Sequence, residues 1–359
     1  MAQSVAEPIA GVRSIVAGLP RLRVLWALGG IALLVVAAMV GAAAGPVHIP
    51  LGVVAHAVLT PPFLGSNGAE SGQHAILWSL RFPRVVLGAL VGGMLATAGA
   101  AYQGVFRNPL ADPYLLGAAS GAVLGATLAI VFAHGETVLG LNPVPVAAFI
   151  GAAAAVGAAY TLGSSLRGYR NPTTLVLAGV AVAAFLTAVQ TYVQQAQSNS
   201  LRQVYSWILG RLVTAGWSDV ALILPYAAVG VGVILAHRRL LDALAVGDDE
   251  VTSLGVSPRR VRLVMVAAAT LCTAAAVAAA GAIGFVGIIV PHTIRLLIGA
   301  SYRVVLPMSL LLGASFMVLA DTAARTLTAP AEMPIGVITA VVGAPFFLLV
   351  MRSTRVREV

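Results

Sequence analysis

Lysine is absent from this chain of 359 residues, and all 21 basic positions are arginine. A P-loop needs a lysine to reach nucleotide phosphates, and Schiff-base chemistry needs one as nucleophile, so both are excluded. Cysteine is almost absent too. Cys272 stands alone in an apolar stretch, which leaves no disulfide framework and no cysteine-based zinc site. Charged residues make up 9% of the chain, against about a quarter in a soluble domain. A cytosolic globular enzyme, a disordered chain and a nucleic-acid-binding protein are thereby excluded, although the pI is ≈ 10.6. Apolar residues fill 59% of the chain and the mean hydropathy is +0.97. Such a composition belongs to a polytopic membrane protein.

A hydrocarbon core of roughly 30 Å takes about 20 apolar residues as a helix, whereas barrel strands would alternate. The apolar runs here are long and unalternating, which predicts an all-α fold. Spans are expected near residues 24–44, 84–106, 115–133, 143–165, 174–196, 219–236, 263–283, 284–299, 304–326 and 335–351. Residues 263–294 hold 32 positions without a charge, too many for one span and too few for two ordinary ones. Gly281, Gly284, Gly287 and Pro291 interrupt that stretch, so a helix, a break and a short helix are expected.

The sidedness of arginine sets the count. With ten spans, 16 arginines share the side of both termini and five (Arg81, Arg84, Arg202, Arg211 and Arg325) lie opposite. Nine spans would carry Arg295, Arg303 and the three tail arginines across. The expected organisation is a cytoplasmic N-terminal segment 1–23, one transmembrane domain 24–351 and a cytoplasmic tail 352–359. Arginines followed by an apolar run and small residues at 41–45 also resemble a signal peptide. The run, about 21 residues, is longer than a signal core, so it is expected to remain as the first span.

Four stretches outside the spans stand out. Leu80-Arg81-Phe82-Pro83-Arg84 opens the second span. Its arginines either anchor a helix end or receive an acidic partner, because guanidinium forks suit carboxylates. Arg107-Asn108-Pro109-Leu110-Ala111-Asp112-Pro113 stops that helix, with Asn108 and Asp112 as turn caps. The loop 237–262 gathers Asp242, Asp248, Asp249 and Glu250, four of the chain's 12 acids within nine residues. It reads as a solvated charged loop, or as two short amphipathic pieces divided by Gly247 and Gly255 that pack on a cytoplasmic subunit. The fourth stretch, 281–292, implies broken backbone at membrane depth, tolerated only where protein covers it or it lines a cavity.

Within the spans, ionisable groups are few: Asp321, Arg325 and His292. Asp321 and Arg325 stand four apart on one helix face, which makes either a local ion pair or a functional pair. The six histidines are scattered and no HExxH occurs, so no metal site and no catalytic residue is expected. The fifth span carries Thr187, Gln190, Tyr192, Gln194 and Gln195. Any one glutamine suits an interhelical hydrogen bond, while the group suits a helix facing a water-accessible pathway.

Taken together, the motifs resemble the permeases of iron-siderophore, haem and cobalamin ABC importers. The residues that carry the resemblance are Leu80-Arg81-Phe82-Pro83-Arg84, the segment 103–113, Leu115-Leu116-Gly117-Ala118-Ala119-Ser120-Gly121, the segment 281–292, the segment 319–325 and the segment 333–347. They run in order from about residue 80 to 351, with Phe82 where leucine is commoner in that family. The resemblance implies a type II ABC importer permease fold of ten spans in the bacterial inner membrane. It also implies a homodimer with its pathway at the interface, two cytoplasmic ATPase subunits and one periplasmic binding protein. Under it, Arg81, Arg84 and Arg325 match the arginines that receive glutamates of the binding protein. Gly247, Glu250, Ser253, Leu254 and Gly255 match the helices that rest on the ATPase. Asn108, Leu110, Thr173 and Thr174 match the cytoplasmic gate, and the fifth span with Gln190 and Gln194 matches the pathway-lining helix. No cofactor is expected in this chain, since ATP and magnesium would sit on the ATPase.

The expected cargo is a bulky iron chelate, haem or a ferric siderophore, with cobalamin as the alternative. An ion-coupled secondary transporter is the alternative of a different class. It would need intramembrane acids or a cation site and no ATPase partner, and the acidic 248–250 loop and the scarcity of carboxylates inside the spans argue against it.

Overall fold

Runs of alanine, leucine and valine without alternating polarity leave helices as the way to satisfy the backbone in an apolar medium. The protein, described by a computed structural model over residues 20–45, 47–60, 71–133, 142–165, 172–210, 212 and 216–355, consists within that range of helices joined by turns and irregular segments. Among the described residues, seven helices are long and apolar enough to cross a membrane, and three more apolar helices are shorter.

The first of them, α1 (Pro20–Ala43), is followed by two short helices, α2 (Leu51–Leu59) and α3 (Ser71–Ile76). A π-helical turn, Leu77–Arg81, carries the chain from α3 into α4 (Phe82–Phe106). Then come α5 (Ala118–Phe132), α6 (Pro143–Ser165), α7 (Pro172–Ala196) and the short α8 (Leu201–Ile208). After α9 (Trp217–Ala236), two short helices, α10 (Arg238–Val246) and α11 (Asp248–Ser253), precede α12 (Pro258–Ala280). The chain finishes with α13 (Val286–Leu297), α14 (Tyr302–Thr326) and α15 (Ile335–Arg355). The ten apolar helices α1, α4, α5, α6, α7, α9, α12, α13, α14 and α15 fall on the ten expected spans.

Helix α4 is the axis of the bundle: α14, α12, α13 and α9 all pack on it, and α1 packs on α14. Beside this group α5, α6 and α7 pack on one another, joined to the axis through α12 against α6. Small residues set how closely α4 and α14 approach. A side chain at Gly92 would collide with the carbonyl of Gly313, and one at Gly313 with the methyl of Ala96. Lipid tails are as apolar as leucine, so association here rests on such close contact rather than on a hydrophobic difference.

The break expected within 263–294 lies at residues 281–285, between α12 and α13. Gly281 has φ +80 and Phe285 φ +70, both left-handed. A Cβ at Gly281 would also strike the carbonyl of Trp207. The carbonyls freed there are taken up by protein. Tyr114 Oη donates to Ile283 O at 2.8 Å, and Gln103 Nε2 donates to Gly287 O at 3.1 Å. Thus the segment after α4 and the α12–α13 break, two separate motifs in sequence, interlock in the bundle core.

Candidate functional site

At one end of the bundle, where α1 and α14 finish and α4 begins, Arg81, Arg84 and Arg325 form a single cluster. The last carbonyls of a helix have no partner within it, and guanidinium groups are suited to take them. Arg81 Nη1 donates to Ala42 O at 2.6 Å and to Ala43 O at 2.7 Å, and its Nη2 donates to Val47 O. Arg325 Nη2 donates to Gly41 O at 2.9 Å and its Nη1 to Ala44 O at 3.1 Å. Both side chains are buried, so their N–H groups cap α1 instead of facing outward.

Arg84 differs. Its Nε lies 3.0 Å from Asp321 Oδ2 and its Nη2 2.8 Å from Asp321 Oδ1. On its other edge Nη1 and Nη2 meet Glu332 Oε1 at 3.1 Å and Oε2 at 2.9 Å, a two-pronged pair. Asp321 also pairs with Arg325 Nε at 3.0 Å, the i, i+4 ion pair legible in sequence. One buried carboxylate therefore bridges two cations. Glu332, in the turn between α14 and α15, is the member that sequence reasoning missed. Its only signal was its place beside Met333-Pro334, where it reads as a solvated turn acid.

At the opposite end, α10 and α11 form the short pair expected from the loop 237–262. Val251 anchors α11 inward, while Glu250, Ser253, Leu254 and Gly255 are exposed together and Gly247 separates the two helices. Leu254 is 57% exposed.

Two acids of this pair grip the ends of long helices, a role the sequence did not disclose. Asp242 Oδ1 accepts Tyr302 N–H at 2.6 Å and its Oδ2 accepts Ser301 Oγ at 3.0 Å, capping α14. Arg303 Nε stands 3.3 Å from the same carboxylate. Asp248 takes Arg262 Nη1 at 2.9 Å and Nη2 at 2.6 Å, and it also pairs with Arg107. Those guanidinium contacts hold the Asp248 carboxyl below its usual range, the Arg262 hydrogen bond first.

Arg107 closes α4 with φ +51, a left-handed backbone that costs a non-glycine residue about 1–3 kcal/mol. Its side chain offsets that cost: Nε donates to Leu244 O at 2.7 Å while Nη2 meets Asp248.

The residues expected at a cytoplasmic gate include Asn108 and Leu110, which follow the end of α4 beside Arg107. Asn108 Oδ1 accepts Leu110 N–H at 2.9 Å, and both residues are exposed. Thr174 is half-buried in the first turn of α7, and the side chain of Thr173 lies outside the described residues. Beyond this segment, Leu115 and Leu116 pack against α7 at Gly179, where a side chain would strike the Leu115 carbonyl.

On α7 itself the polar residues divide. Gln194 turns inward and is buried, whereas Thr187, Thr191, Tyr192 and Gln195 are exposed and Gln190 is half-buried. Gln190 and Gln194 stand one turn apart on the same side of the helix, the first half-buried and the second covered by the bundle, with Thr187, Thr191, Tyr192 and Gln195 exposed around them. Among the described residues, no group of three or more His, Cys, Asp or Glu side chains is placed to hold a metal ion.

Comparison with known proteins gives this architecture a family. The FecCD transport family model matches residues 33–353. An uncharacterized ABC transporter permease of Bacillus subtilis is 39% identical over 323 residues, 90% of this chain and 92% of that one. The cobalamin import system permease of Halobacterium salinarum is 43% identical over 290 residues, 81% of this chain and 77% of its own. The hemin transport system permease of Yersinia pestis is 42% identical over 304 residues, 82% of this chain and 89% of its own. Among solved structures, a metal-chelate type ABC transporter in an inward-facing conformation superposes with a TM-score of 0.79 at 27% identity, over 91% of this chain and 98% of that chain. The chain belongs to the FecCD transport family and is a multi-pass ABC transporter permease subunit, not itself an enzyme.

Proposed function

We propose that two copies of this chain form the membrane passage of an ATP-driven importer that carries a bulky iron chelate, haem or a ferric siderophore, into a bacterial cytoplasm. A periplasmic binding protein would deliver the cargo at the arginine-cluster end, and two ATPase subunits would seat on α10 and α11. Both termini then lie in the cytoplasm, as the arginine count favours, and ATP and magnesium stay on the ATPase.

The observation that carries this reading is the tethering of α10 and α11. A displaced ATPase surface would move an exposed patch, Glu250 to Gly255, whose neighbours Asp242 and Asp248 are fastened to the ends of α14, α12 and α4. Motion entering at the short helices thus reaches three spans and, through Arg107, the gate residues Asn108 and Leu110. Helix α7 supports the dimer reading. It is the least covered of the seven long spans among the described residues, with 11% of its window buried. Leu177, Val180 and Phe185 stand exposed along it beside Thr187 and Thr191. An apolar stripe would meet the second copy, and the neutral hydroxyl groups would border a weakly binding passage.

The test is uptake by liposomes holding the permease with its ATPase and binding protein, comparing haem, a ferric siderophore and cobalamin. ATP-dependent uptake of an iron chelate is expected. Preferred uptake of cobalamin would move the assignment to the activity named for the Halobacterium relative. Uptake that persists without ATPase would overturn the importer reading.

A further inference from the structure

Glu332 occupies the edge of Arg84 that an incoming carboxylate would need. We propose that Glu332 is an internal competitor at the docking site, so that an acidic side chain of the binding protein binds Arg84 by exchange with it. The inference rests on the docking role given to this cluster above, and it names the step by which docking occurs.

Four observations carry it. First, a guanidinium has five N–H donors, and the contacts of Arg84 to Asp321 and Glu332 engage both Nη groups and Nε. A third carboxylate cannot form a two-pronged pair there while Glu332 stays. Second, Arg81 and Arg325 are buried and bound to the carbonyls of α1, so neither offers a fork without unmaking that helix end.

Third, the two acids are not equivalent. The Asp321 side chain is 3% exposed and shared between Arg84 and Arg325, whereas that of Glu332 is 27% exposed and meets Arg84 alone. Removing Asp321 would leave buried Arg325 without an acid and Arg84 with Glu332 alone, while Glu332 leaves into water at little cost. Fourth, three arginines face two acids in the cluster, so the surplus is positive even with Glu332 in place and larger once it withdraws. The site attracts an acid while holding its own.

Exchange of one carboxylate for another gains little Coulomb energy, which suits a partner that must leave after each delivery. It also reports arrival. Glu332 sits three residues before α15, whose first turn is held by Ile335 N–H to Gly210 O at 3.3 Å and Gly336 N–H to Leu209 O at 3.1 Å. Freeing the turn loosens the attachment of that helix to Arg84.

The test uses the full permease in nanodiscs, as wild type, Glu332→Gln and the double variant Glu332→Gln with Arg84→Gln. Two probes are read: modification of Arg84 by phenylglyoxal, followed by peptide mass spectrometry, and the affinity for a hexaglutamate peptide. Glu332→Gln is expected to speed Arg84 modification and to tighten peptide binding about two- to fivefold, a gain the double variant loses. Equal modification rates in wild type and Glu332→Gln would overturn the inference and leave the docking reading standing. Faster modification without tighter binding would overturn both, because a bared Arg84 would then take no carboxylate.

Discussion

Asp242 accepts the backbone N–H of Tyr302 at 2.6 Å, so the first turn of α14 hangs from a side chain of α10. The carboxylate lies at a helix N-terminus, where unpaired N–H groups and the helix dipole both favour negative charge. Loss of such a cap costs about 0.5–2 kcal/mol, too little to unfold a ten-span bundle. We therefore expect Asp242→Ala to assemble and hydrolyse ATP with its partners while transporting less cargo per ATP. The ratio of uptake to phosphate release in proteoliposomes measures this, and an unchanged ratio would remove Asp242 from the coupling path.

Asp248 joins Arg262 of α12 to Arg107 at the end of α4. Its carboxylate is 40% exposed, so each pair adds about 1 kcal/mol or less to stability, and its importance is positional. The folded carboxyl titrates below its usual range because of the two guanidinium groups. Whatever it contributes is therefore present above the unfolded value, about 3.9, and is lost only as the pH falls through the depressed folded value. Coupling that depends on Asp248 should accordingly stay flat from pH 5.5 to 7.5 in wild type and be weakened across that whole range in Asp248→Asn. A wild-type transition centred near pH 6 would point to another group.

The spans and the α12–α13 break were legible because apolar run length and glycine spacing are local properties. The Asp321–Arg325 pair was legible for the same reason, four residues being one helical turn. Glu332 on Arg84 spans 248 positions, and Asp248 on Arg107 spans 141. No period within either segment encodes such a meeting. The burial of Gln194 was not legible either, because polar side chains from Thr187 to Gln195 point around much of that helix and do not mark which of them the bundle covers.

Asp321 is the keystone of the arginine cluster. Its burial between Arg84 and Arg325 means that removing it leaves two cations facing one another with Glu332 as the remaining acid. Breaking a buried pair in this way costs about 3–5 kcal/mol. We expect Asp321→Asn to lower the thermal unfolding midpoint in detergent well beyond Glu332→Gln, whose acid is partly solvated. Equal midpoints for the two variants would mean that Asp321 is not the structural partner the geometry makes it.

Docking is therefore best probed at Arg84. Arg325→Glu would set a second buried acid beside Asp321 and unmake the end of α1, so weakened docking in that variant would report misfolding. Arg84→Gln keeps length and polarity while withdrawing the charge, and its carbonyl is tolerated beside partly exposed Glu332. We expect it to keep its unfolding midpoint nearer to wild type than Asp321→Asn does, and to weaken capture of the binding protein, more so at low salt because the attraction is screened. Undiminished capture at low ionic strength would count against the cluster as the docking site.

Leu254 stands 57% exposed just after α11, an apolar side chain that the bundle leaves uncovered. A partner groove that receives it would bury roughly the area of one leucine, worth about 1.5–3 kcal/mol. Leu254→Asp replaces that gain with the desolvation of a charge, while the position is mostly exposed within the permease itself. The variant is expected to fold with an unchanged midpoint, to retain less ATPase on co-purification, and to lose uptake in proportion. Normal retention and normal uptake together would place the ATPase contact elsewhere than on α10 and α11.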